Sequence, residues 1–404
     1  MSTLPLRRRV LHRACWVGAA LCALVVFRQR STGHRALPQD GPYLLLGNHT
    51  SALDPLWAAF PIWRPAHFMA SAALFRIRGL GAVISALGAF PKQKGVRDST
   101  SMKTLLRLYK DGQVVVMFPE GTRTWDGRQV PVRDGVGRLI RKLKARVVFV
   151  RNRTGYLFQP RWARYPRWVP VELEYSAPFT FEGMSADAIA EVVEAQLQVD
   201  PEARAQGTAF GFRMAHGLPE YLWACPSCFA RGGLQLDPRD GNRVRCGACG
   251  RGWTVTVDAR LVDDAGVEDT VAAHHDRVVA HFGAPPVADA ADRAATGVVL
   301  RGARGAVSEV ARGGAVTLLA AGELRLTPER LSVHGPEGEA LWSVDLAPLR
   351  AVSVEIGNSL RLLPPDTQVV VEPGGDSPLM WAHFLSWWAH RAKHGADAGA
   401  PPPV

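Results

Sequence analysis

Short apolar runs, separated by stretches with helical spacing, recur between positions 36 and 175 of the chain. Apolar residues lie at helical spacing in Ser99–Lys110 and again in Ser185–Leu197, so both segments predict helices. The apolar runs predict strands at Tyr43–Gly47, His67–Ala70, Val114–Phe118, Arg146–Val150 and Val169–Tyr175. This alternation is typical of an α/β layer, and we expect a mixed sheet flanked by helices.

The pattern changes near position 221. Residues 221–257 contain two CxxC pairs with glycine-rich turns, and residues 258–300 read as a helix followed by a linker. Residues 301–395 show short β-like runs that end in a helix, for which Ser377 is the expected N-cap and Pro378 the first-turn residue. This segment predicts a mainly-β domain closed by one helix, and residues 396–404 predict a disordered tail.

The N-terminal 32 residues predict a basic membrane anchor. Residues 1–39 contain seven arginines and no acid, and Ala14–Phe27 is an uncharged apolar run between Arg13 and Arg28. These 14 residues are short for a bilayer-spanning helix, which needs ~20. We expect an uncleaved anchor that is embedded in, or lies on, the cytoplasmic leaflet, where arginines meet anionic lipid. A buried core helix is the alternative.

A formal net charge of +11 and a pI of about 9.8 indicate an anionic partner. Between Gly135 and Val171 there are ten Lys or Arg and no acid, interleaved with Tyr156, Phe158, Trp162, Tyr165 and Trp168. Such a stretch can bind single-stranded nucleic acid by stacking, or rest on an anionic membrane with its rings at headgroup level. Beside the arginine-flanked apolar segment, the membrane surface is the favoured partner, and nucleic acid is disfavoured.

A histidine and an aspartate follow the first predicted strand, in the sequence GNHTSALDP. On a continuous helix, His49 and Asp54 would point about 140° apart, so His49 has to precede a helix that carries Asp54 in its first turns. The carboxylate then accepts the Nδ1–H of the imidazole and leaves Nε2 for substrate. The pair therefore predicts a general base with its orienting acid; a hydrogen-bonded structural histidine is the alternative.

The hexapeptide FPEGTR, residues 118–123, follows another apolar strand. Open α/β sheets bind ligands at the carboxyl ends of their strands. The planar fork of Arg123 suits phosphate, and Gly121 lets backbone N–H groups approach it. A turn with a surface ion pair is the alternative.

NHTSALD and FPEGTR, in this order and with GAFPKQKGVRDSTS (residues 88–101) between them, resemble the glycerolipid acyltransferases typified by 1-acylglycerol-3-phosphate acyltransferase. The resemblance covers residues 36–200, and we place an acyltransferase domain at 33–220. It implies transfer of a fatty acyl group, in phospholipid biosynthesis, from acyl-CoA or acyl-carrier protein to a lysophospholipid acceptor. The site residues it implies are His49 as base and Asp54 as its orienter, with Lys94, Glu120, Gly121, Thr122 and Arg123 on the acceptor phosphate.

The chain departs from the family pattern at two positions. Lys94 stands where arginine is usual, and Phe149 stands where proline is expected. These departures leave the identity of the acceptor open, and they do not affect the expected chemistry. The competing hypothesis is a non-catalytic, membrane-tethered adaptor that binds a protein or nucleic acid through its C-terminal domains.

The two CxxC pairs predict a structural zinc site in a ribbon at residues 221–257. Four thiolates complete a tetrahedral site and leave no open position for a reacting water. A redox dithiol is the alternative for one pair, and His274 and His275 are expected on a helix surface outside the site. The ligands are Cys225, Cys228, Cys246 and Cys249. The C-terminal β domain at 301–395 resembles pleckstrin-homology-like domains.

Overall fold

A computed structural model of the chain describes residues 17–18, 21–62, 64–92, 98–282, 294–311, 315–355 and 359–395. The chain divides into two compact units. The first comprises Met1–Met214 with Thr256–Arg260, and the second comprises Ala215–Val255 with Leu261–Val404. A mixed sheet lies in the first unit, and two antiparallel sheets lie in the second.

The sheet of the first unit has seven strands: β1 Arg30–Thr32, β2 Tyr43–Gly47, β3 Ala66–Ser71, β4 Ala89–Lys92, β5 Val114–Met117, β6 Val147–Asn152 and β7 Glu172–Tyr175. Their order is β1-β7-β6-β2-β5-β3-β4. The central strand β2 pairs in parallel with β5 and β6, whereas β7 runs antiparallel to β6. The predicted strands and the mixed α/β sheet are therefore confirmed.

The helices of the first unit cover a sheet that is buried on both faces. They are α1 Asp54–Ala59, α2 Leu80–Ala86, α3 Ser99–Lys110, α4 Val136–Leu143, α5 Gly155–Phe158 and α6 Ala186–Gln196. Along β2, Tyr43 and Leu45 enter one hydrophobic cluster while Leu44 and Leu46 enter another. Alternate side chains of a strand point to opposite faces, so a continuous apolar run marks a strand with two cores.

The ribbon region forms a five-stranded antiparallel sheet in the second unit. Its strands are β8 Leu234–Leu236, β9 Arg243–Cys246, β10 Gly252–Val255, β11 Arg260–Asp263 and β12 Glu268–Thr270, in the order β12-β11-β10-β9-β8. Helix α7 (Leu218–Tyr221) precedes it and α8 (Val271–Phe282) follows. His274 on α8 is only 4% exposed, so its expected surface position was wrong: it lies inside, with its ring against Trp253.

The C-terminal region is a seven-stranded antiparallel sheet with one helix, as predicted. The strands are β13 Leu300–Val310, β14 Val316–Leu326, β15 Arg330–His334, β16 Ala340–Asp345, β17 Val352–Glu355, β18 Ser359–Leu362 and β19 Val369–Pro373. Helix α9 (Pro378–His394) packs against β17, β18 and β19. The Ser377 hydroxyl accepts a hydrogen bond from Met380 N at 3.3 Å, which confirms the N-cap.

None of the helices within the described ranges is both long and apolar enough to cross a membrane. Residues 1–16, 19 and 20 of the predicted anchor lie outside the described residues. Its last part is exposed: Leu21, Leu24, Val25 and Val26 show between 43% and 68% of their surface. These four residues are therefore not part of a buried core helix.

The basic, aromatic stretch between Gly135 and Val171 is only partly exposed at the protein surface. Tyr156, Phe158 and Trp162 are buried, so their predicted contact with a membrane was wrong. Trp168 is 37% exposed.

Candidate active site and metal centre

Three neighbouring strands of the mixed sheet end at one edge. Since β5, β2 and β6 run parallel, their carboxyl ends meet there. Strand β2 leads into Asn48 and His49, β5 leads into residues 118–123, and β6 ends at Asn152. The sheet thus brings together two motifs that stand 71 residues apart in His49 and Glu120.

Asp54 is the first residue of α1 and accepts five hydrogen bonds. Its Oδ2 accepts from Nδ1 of His49 at 2.9 Å and from the backbone N–H groups of Thr50 and Ser51 at 2.7 and 2.8 Å. Its Oδ1 accepts from Nδ2 of Asn152 at 2.8 Å and from the Thr50 hydroxyl at 3.3 Å. The carboxylate is 2% exposed. An ionised carboxylate only accepts, so the His49 proton lies on Nδ1 and Nε2 is the basic nitrogen.

The imidazole of His49 is held from a second side. Its ring stacks on Phe118, with 4.4 Å between centroids and 22° between planes, and its side chain remains 20% exposed. His49 precedes α1, as the spacing to Asp54 requires. A Cβ at Gly47 would lie 3.0 Å from the Phe118 ring, so the glycine leaves room for this stack.

Asn48 and Asn152 join the ends of β2 and β6. The Asn48 side chain donates to Asn152 O at 3.0 Å and accepts from Asn152 N at 2.7 Å. The Asn152 side chain in turn donates to Asp54 and accepts from Gly155 N at 2.8 Å. A Cβ at Gly155 would lie 2.3 Å from both Asn152 Nδ2 and Thr50 Oγ1, so the packing requires glycine.

The loop after β5 holds both backbone polar groups of His49. The His49 N–H donates to Oε2 of Glu120 at 3.2 Å, and the N–H of Thr124 donates to His49 O at 3.0 Å. Glu120 is 1% exposed. In this structure the Glu120 carboxylate therefore binds the backbone of His49.

The same loop presents Thr122 and Arg123, and Arg161 supports it. Nη1 of Arg161 donates to the Thr122 hydroxyl and to Arg123 O, each at 3.0 Å, while its guanidinium lies 3.9 Å from the Trp125 ring centre. Gly121 has a φ of 72°, the left-handed region that favours glycine. Lys94 belongs to residues 93–97, which lie outside the described residues.

Burial dominates the electrostatics of this loop. It raises the pKa of Glu120 to about 8; the His49 N–H opposes that rise and the Asp54 charge adds to it. Burial likewise lowers the pKa of Arg123, against the charge of Asp54. Glu120 is thus largely neutral at pH 7, and a half-buried guanidinium gains from an anionic ligand.

Sequence reasoning assigned no role to Asn152, Arg161 or Phe118. Asn152 is 3% exposed and contacts the buried carboxylate directly. Asn152 ends an apolar strand at the sheet edge where His49 lies. A polar residue at the end of an apolar strand is the sequence signal that could have identified it.

The four ribbon cysteines converge on one point. Their Sγ atoms lie within 4.8 Å of one another, with 3.8 Å between Cys225 and Cys249 and 3.7 Å between Cys228 and Cys246. A disulfide needs ~2.05 Å, whereas four sulfurs around a tetrahedral zinc lie roughly 3.8 Å apart. Burial raises the pKa of the Cys225 thiol to about 12. The donor set and its spacing therefore fit a zinc ion and exclude a pair of disulfides in this geometry.

Two similar backbone turns present these sulfurs. Phe229 N donates to Cys225 O and Gly250 N donates to Cys246 O, each at 2.9 Å. The donor residues have φ of 60° and 77°. Each CxxC pair is thus closed by a residue in the left-handed region.

Comparisons with known proteins find relatives of the part of the chain that contains NHTSALD and FPEGTR. Residues 28–152 match the family model described as Acyltransferase. A 1-acyl-sn-glycerol-3-phosphate acyltransferase of Bacillus subtilis (strain 168) is 30% identical over 113 residues, which are 28% of this chain and 56% of that protein. A chloroplastic 1-acyl-sn-glycerol-3-phosphate acyltransferase of Arabidopsis thaliana is 29% identical over 147 residues, 36% of this chain and 41% of that protein.

The chain thus spans between 41% and 56% of the length of these two relatives. Among solved structures, the 1-acyl-sn-glycerophosphate acyltransferase of Thermotoga maritima aligns with a TM-score of 0.40 and 20% identity. That alignment covers 48% of this chain and 83% of the other.

Proposed function

We propose that the protein transfers a fatty acyl group to the free hydroxyl of a lysophospholipid, because residues 28–152 match the Acyltransferase family model and the relatives it resembles are 1-acyl-sn-glycerol-3-phosphate acyltransferases. The proposed acceptor is 1-acylglycerol-3-phosphate, and the donor is acyl-CoA or acyl-carrier protein. The observation that carries the proposal is the 2.9 Å hydrogen bond between His49 and Asp54 at the sheet edge where FPEGTR begins. A non-catalytic adaptor accounts for none of these contacts.

In the proposed reaction, His49 acts as general base. Nε2 takes the proton of the acceptor hydroxyl as its oxygen attacks the thioester carbonyl of the donor. The tetrahedral intermediate then expels the thiolate, which recovers that proton from the imidazolium. Asp54 keeps its proton-free carboxylate on Nδ1 throughout and stabilises the imidazolium.

The loop after β5 is the proposed site of the acceptor phosphate. Arg123 supplies a planar cation, Gly121 exposes backbone N–H groups, and Lys94 is proposed to add a second charge. The raised pKa of Glu120 suits this role, because a neutral carboxyl does not repel a phosphate dianion. Thr122 keeps the loop in place through its hydrogen bond with Arg161.

We also propose a location and a metal. The proposed acceptor is a membrane lipid, so the chain is proposed to act at the cytoplasmic face of the membrane, with the N-terminal segment as its anchor. A zinc ion held by Cys225, Cys228, Cys246 and Cys249 would stabilise the ribbon. It would not enter the reaction, since four thiolates fill all four coordination positions of the ion and leave none for substrate or water.

The test offers purified protein a panel of lyso-acceptors with each donor in turn and identifies the products by mass spectrometry. Diacylglycerol phosphate formation from 1-acylglycerol-3-phosphate is expected, and His49→Ala should reduce it ~10²- to 10⁴-fold. His34→Ala is the matched control, since the hydrogen bond described for the His34 ring goes to Ser31 O in β1, outside the His49–Asp54 site. Turnover in His49→Ala within a few-fold of wild type would refute the mechanism, and no product with any acceptor would refute the function.

A further inference from the structure

Three large aromatic side chains are exposed together on the first unit. Trp168, Phe210 and Phe212, here called the aromatic patch, show 37%, 46% and 74% of their surface. The Trp168 and Phe210 rings stack at 6.0 Å, and the Phe212 ring meets Phe210 edge-on at 5.7 Å. Contiguous exposed apolar surface of this kind marks an interaction site.

The backbone holds the patch in its exposed position. Trp168 N donates to Phe210 O at 2.7 Å, and Phe210 N donates to Trp168 O at 3.3 Å. This two-way bridge fixes a segment that follows α6 against the segment that precedes β7. The rings are therefore presented by main-chain pairing, and burial in the core does not account for their position.

Arginines flank the aromatic patch. The Arg28 guanidinium lies 5.9 Å from the Trp168 ring centre and donates to Thr208 O at 2.7 Å. The Arg213 guanidinium lies 5.9 Å from the ring of Tyr165. Residues 203–213 and 135–171 contain no Asp or Glu. The local charge thus complements an anionic surface.

Leu21, Leu24, Val25 and Val26, here called the aliphatic segment, are also exposed and precede Arg28 in the chain. That segment ends at Phe27, whose ring packs 5.5 Å from Trp57 and 5.3 Å from Phe158 and whose carbonyl accepts from Val171 N at 3.1 Å. Arg28, the next residue, reaches over Trp168. Aliphatic side chains, arginines and aromatic rings therefore form one connected surface.

We infer that this surface, made of the aliphatic segment, the aromatic patch, Arg28 and Arg213, docks onto an anionic lipid bilayer. Aromatic rings favour the headgroup level, aliphatic side chains favour the acyl boundary, and arginines favour anionic lipid. An acidic carrier protein would satisfy the arginines, but it would leave the aliphatic segment in water. The inference deepens the proposed function, since it states how the enzyme reaches its lipid acceptor. It rests on the proposed function only for the reason why the protein would bind a membrane, and the binding itself can be tested without turnover.

Vesicle binding tests the surface without turnover. Full-length protein is sedimented with phosphatidylcholine vesicles that contain or lack phosphatidylglycerol. Phe210→Ser/Phe212→Ser should lower the partition coefficient on both vesicle types by roughly tenfold or more. Arg28→Gln/Arg213→Gln should lower it by a similar factor on anionic vesicles only, and added salt should remove that difference.

The control is Val267→Ser/Leu341→Ser, which removes two exposed apolar side chains from the second unit, 64% and 47% exposed. This variant should bind vesicles as wild type does. Because the aliphatic segment alone could retain the chain on vesicles, the patch variant is also measured in a Leu24→Ser/Val25→Ser background, where its tenfold loss should persist.

Equal partitioning of the patch variant and its control, in both backgrounds and with native circular dichroism, would overturn the inference. Normal vesicle binding with a selective loss of acyl-carrier-protein-dependent turnover would assign the surface to an acidic protein and also overturn it. His49→Ala should bind vesicles like wild type. A protein that binds through the patch but makes no product would refute the proposed function and leave the docking surface standing.

Discussion

Replacing Asn152 by alanine should slow the reaction through Asp54, a residue that the mutation leaves in place. The change removes the 2.8 Å hydrogen bond from Nδ2 to Asp54 Oδ1 and leaves the N–H of Gly155 without its acceptor. It keeps both hydrogen bonds between Asn48 and residue 152, because these use the backbone of residue 152. The strand ends therefore stay joined while the carboxylate loses one of its five donors.

The expected loss of kcat is roughly tenfold, or about 1.4 kcal/mol, because Asp54 loses a donor that fixes its orientation, and a small displacement of the His49 base lowers the rate more than its increased basicity raises it. With one donor fewer, the Asp54 charge attracts the imidazolium of His49 more strongly. The acid limb of the pH–rate profile should therefore move to higher pH. The acceptor KM should change less than kcat, because the hydrogen bonds described for Asn152 go to Asn48, Asp54 and Gly155 and not to Gly121 or Arg123.

Thr154→Val provides the matched control. Thr154 is buried two residues away, and its hydroxyl donates to Pro170 O at 2.7 Å and accepts from Glu172 N at 2.9 Å. Each variant leaves buried backbone groups unpaired, so urea unfolding should show similar losses of about 1–3 kcal/mol. Only Asn152→Ala should change kcat and the pH profile. If both variants lose stability equally and keep wild-type kinetics, Asn152 serves folding alone and the reasoning is refuted.

Three further outcomes are expected. Arg123→Ala should lower kcat/KM for the acceptor roughly 10- to 100-fold and Arg123→Lys should lower it less; equal kinetics in wild type and both variants would remove phosphate from the model. Burial raises the pKa of Glu120 from 4.5 to about 8, so the folded state binds a proton that the unfolded state lacks between these values. Relative to Glu120→Gln, the wild-type unfolding free energy should therefore fall as pH rises through that window, by up to about 1.4 kcal/mol per pH unit, and a constant difference would contradict the assignment. Full-length protein should contain one zinc per chain by elemental analysis, and Cys246→Ser should lose it with a lower Tm but with much of its turnover; a metal-free wild type would contradict the zinc site.

Local pattern predicted the features that depend on neighbours in the chain. Tyr43–Gly47 is apolar throughout because β2 has a core on each face, so its continuous run was visible in the sequence. The turn between His49 and Asp54 followed from helix geometry alone.

Features that depend on tertiary packing could not be predicted from the sequence pattern. Asn152 contacts Asp54 across 98 residues, and only the pairing of β6 with β2 brings them together. A sequence of aromatic residues among arginines looks the same whether the rings are buried or exposed. Trp162 is 5% exposed, whereas Trp168, six residues later, is 37% exposed. Which ring faces solvent is decided by distant segments, such as Phe210 beside Trp168.

The two hydrogen bonds between the backbone of His49 and the loop after β5 limit how this protein can be redesigned. That loop is the natural segment to exchange in order to change acceptor preference, yet Glu120 and Thr124 within it hold the main chain of the base. A transplanted loop must supply an acceptor for His49 N–H and a donor for His49 O, whatever pocket it builds. Without them the base can shift, and a displacement of ~1 Å can cost 10²-fold in rate. Libraries of loop variants should therefore fix these two positions and randomise the residues between and beyond them.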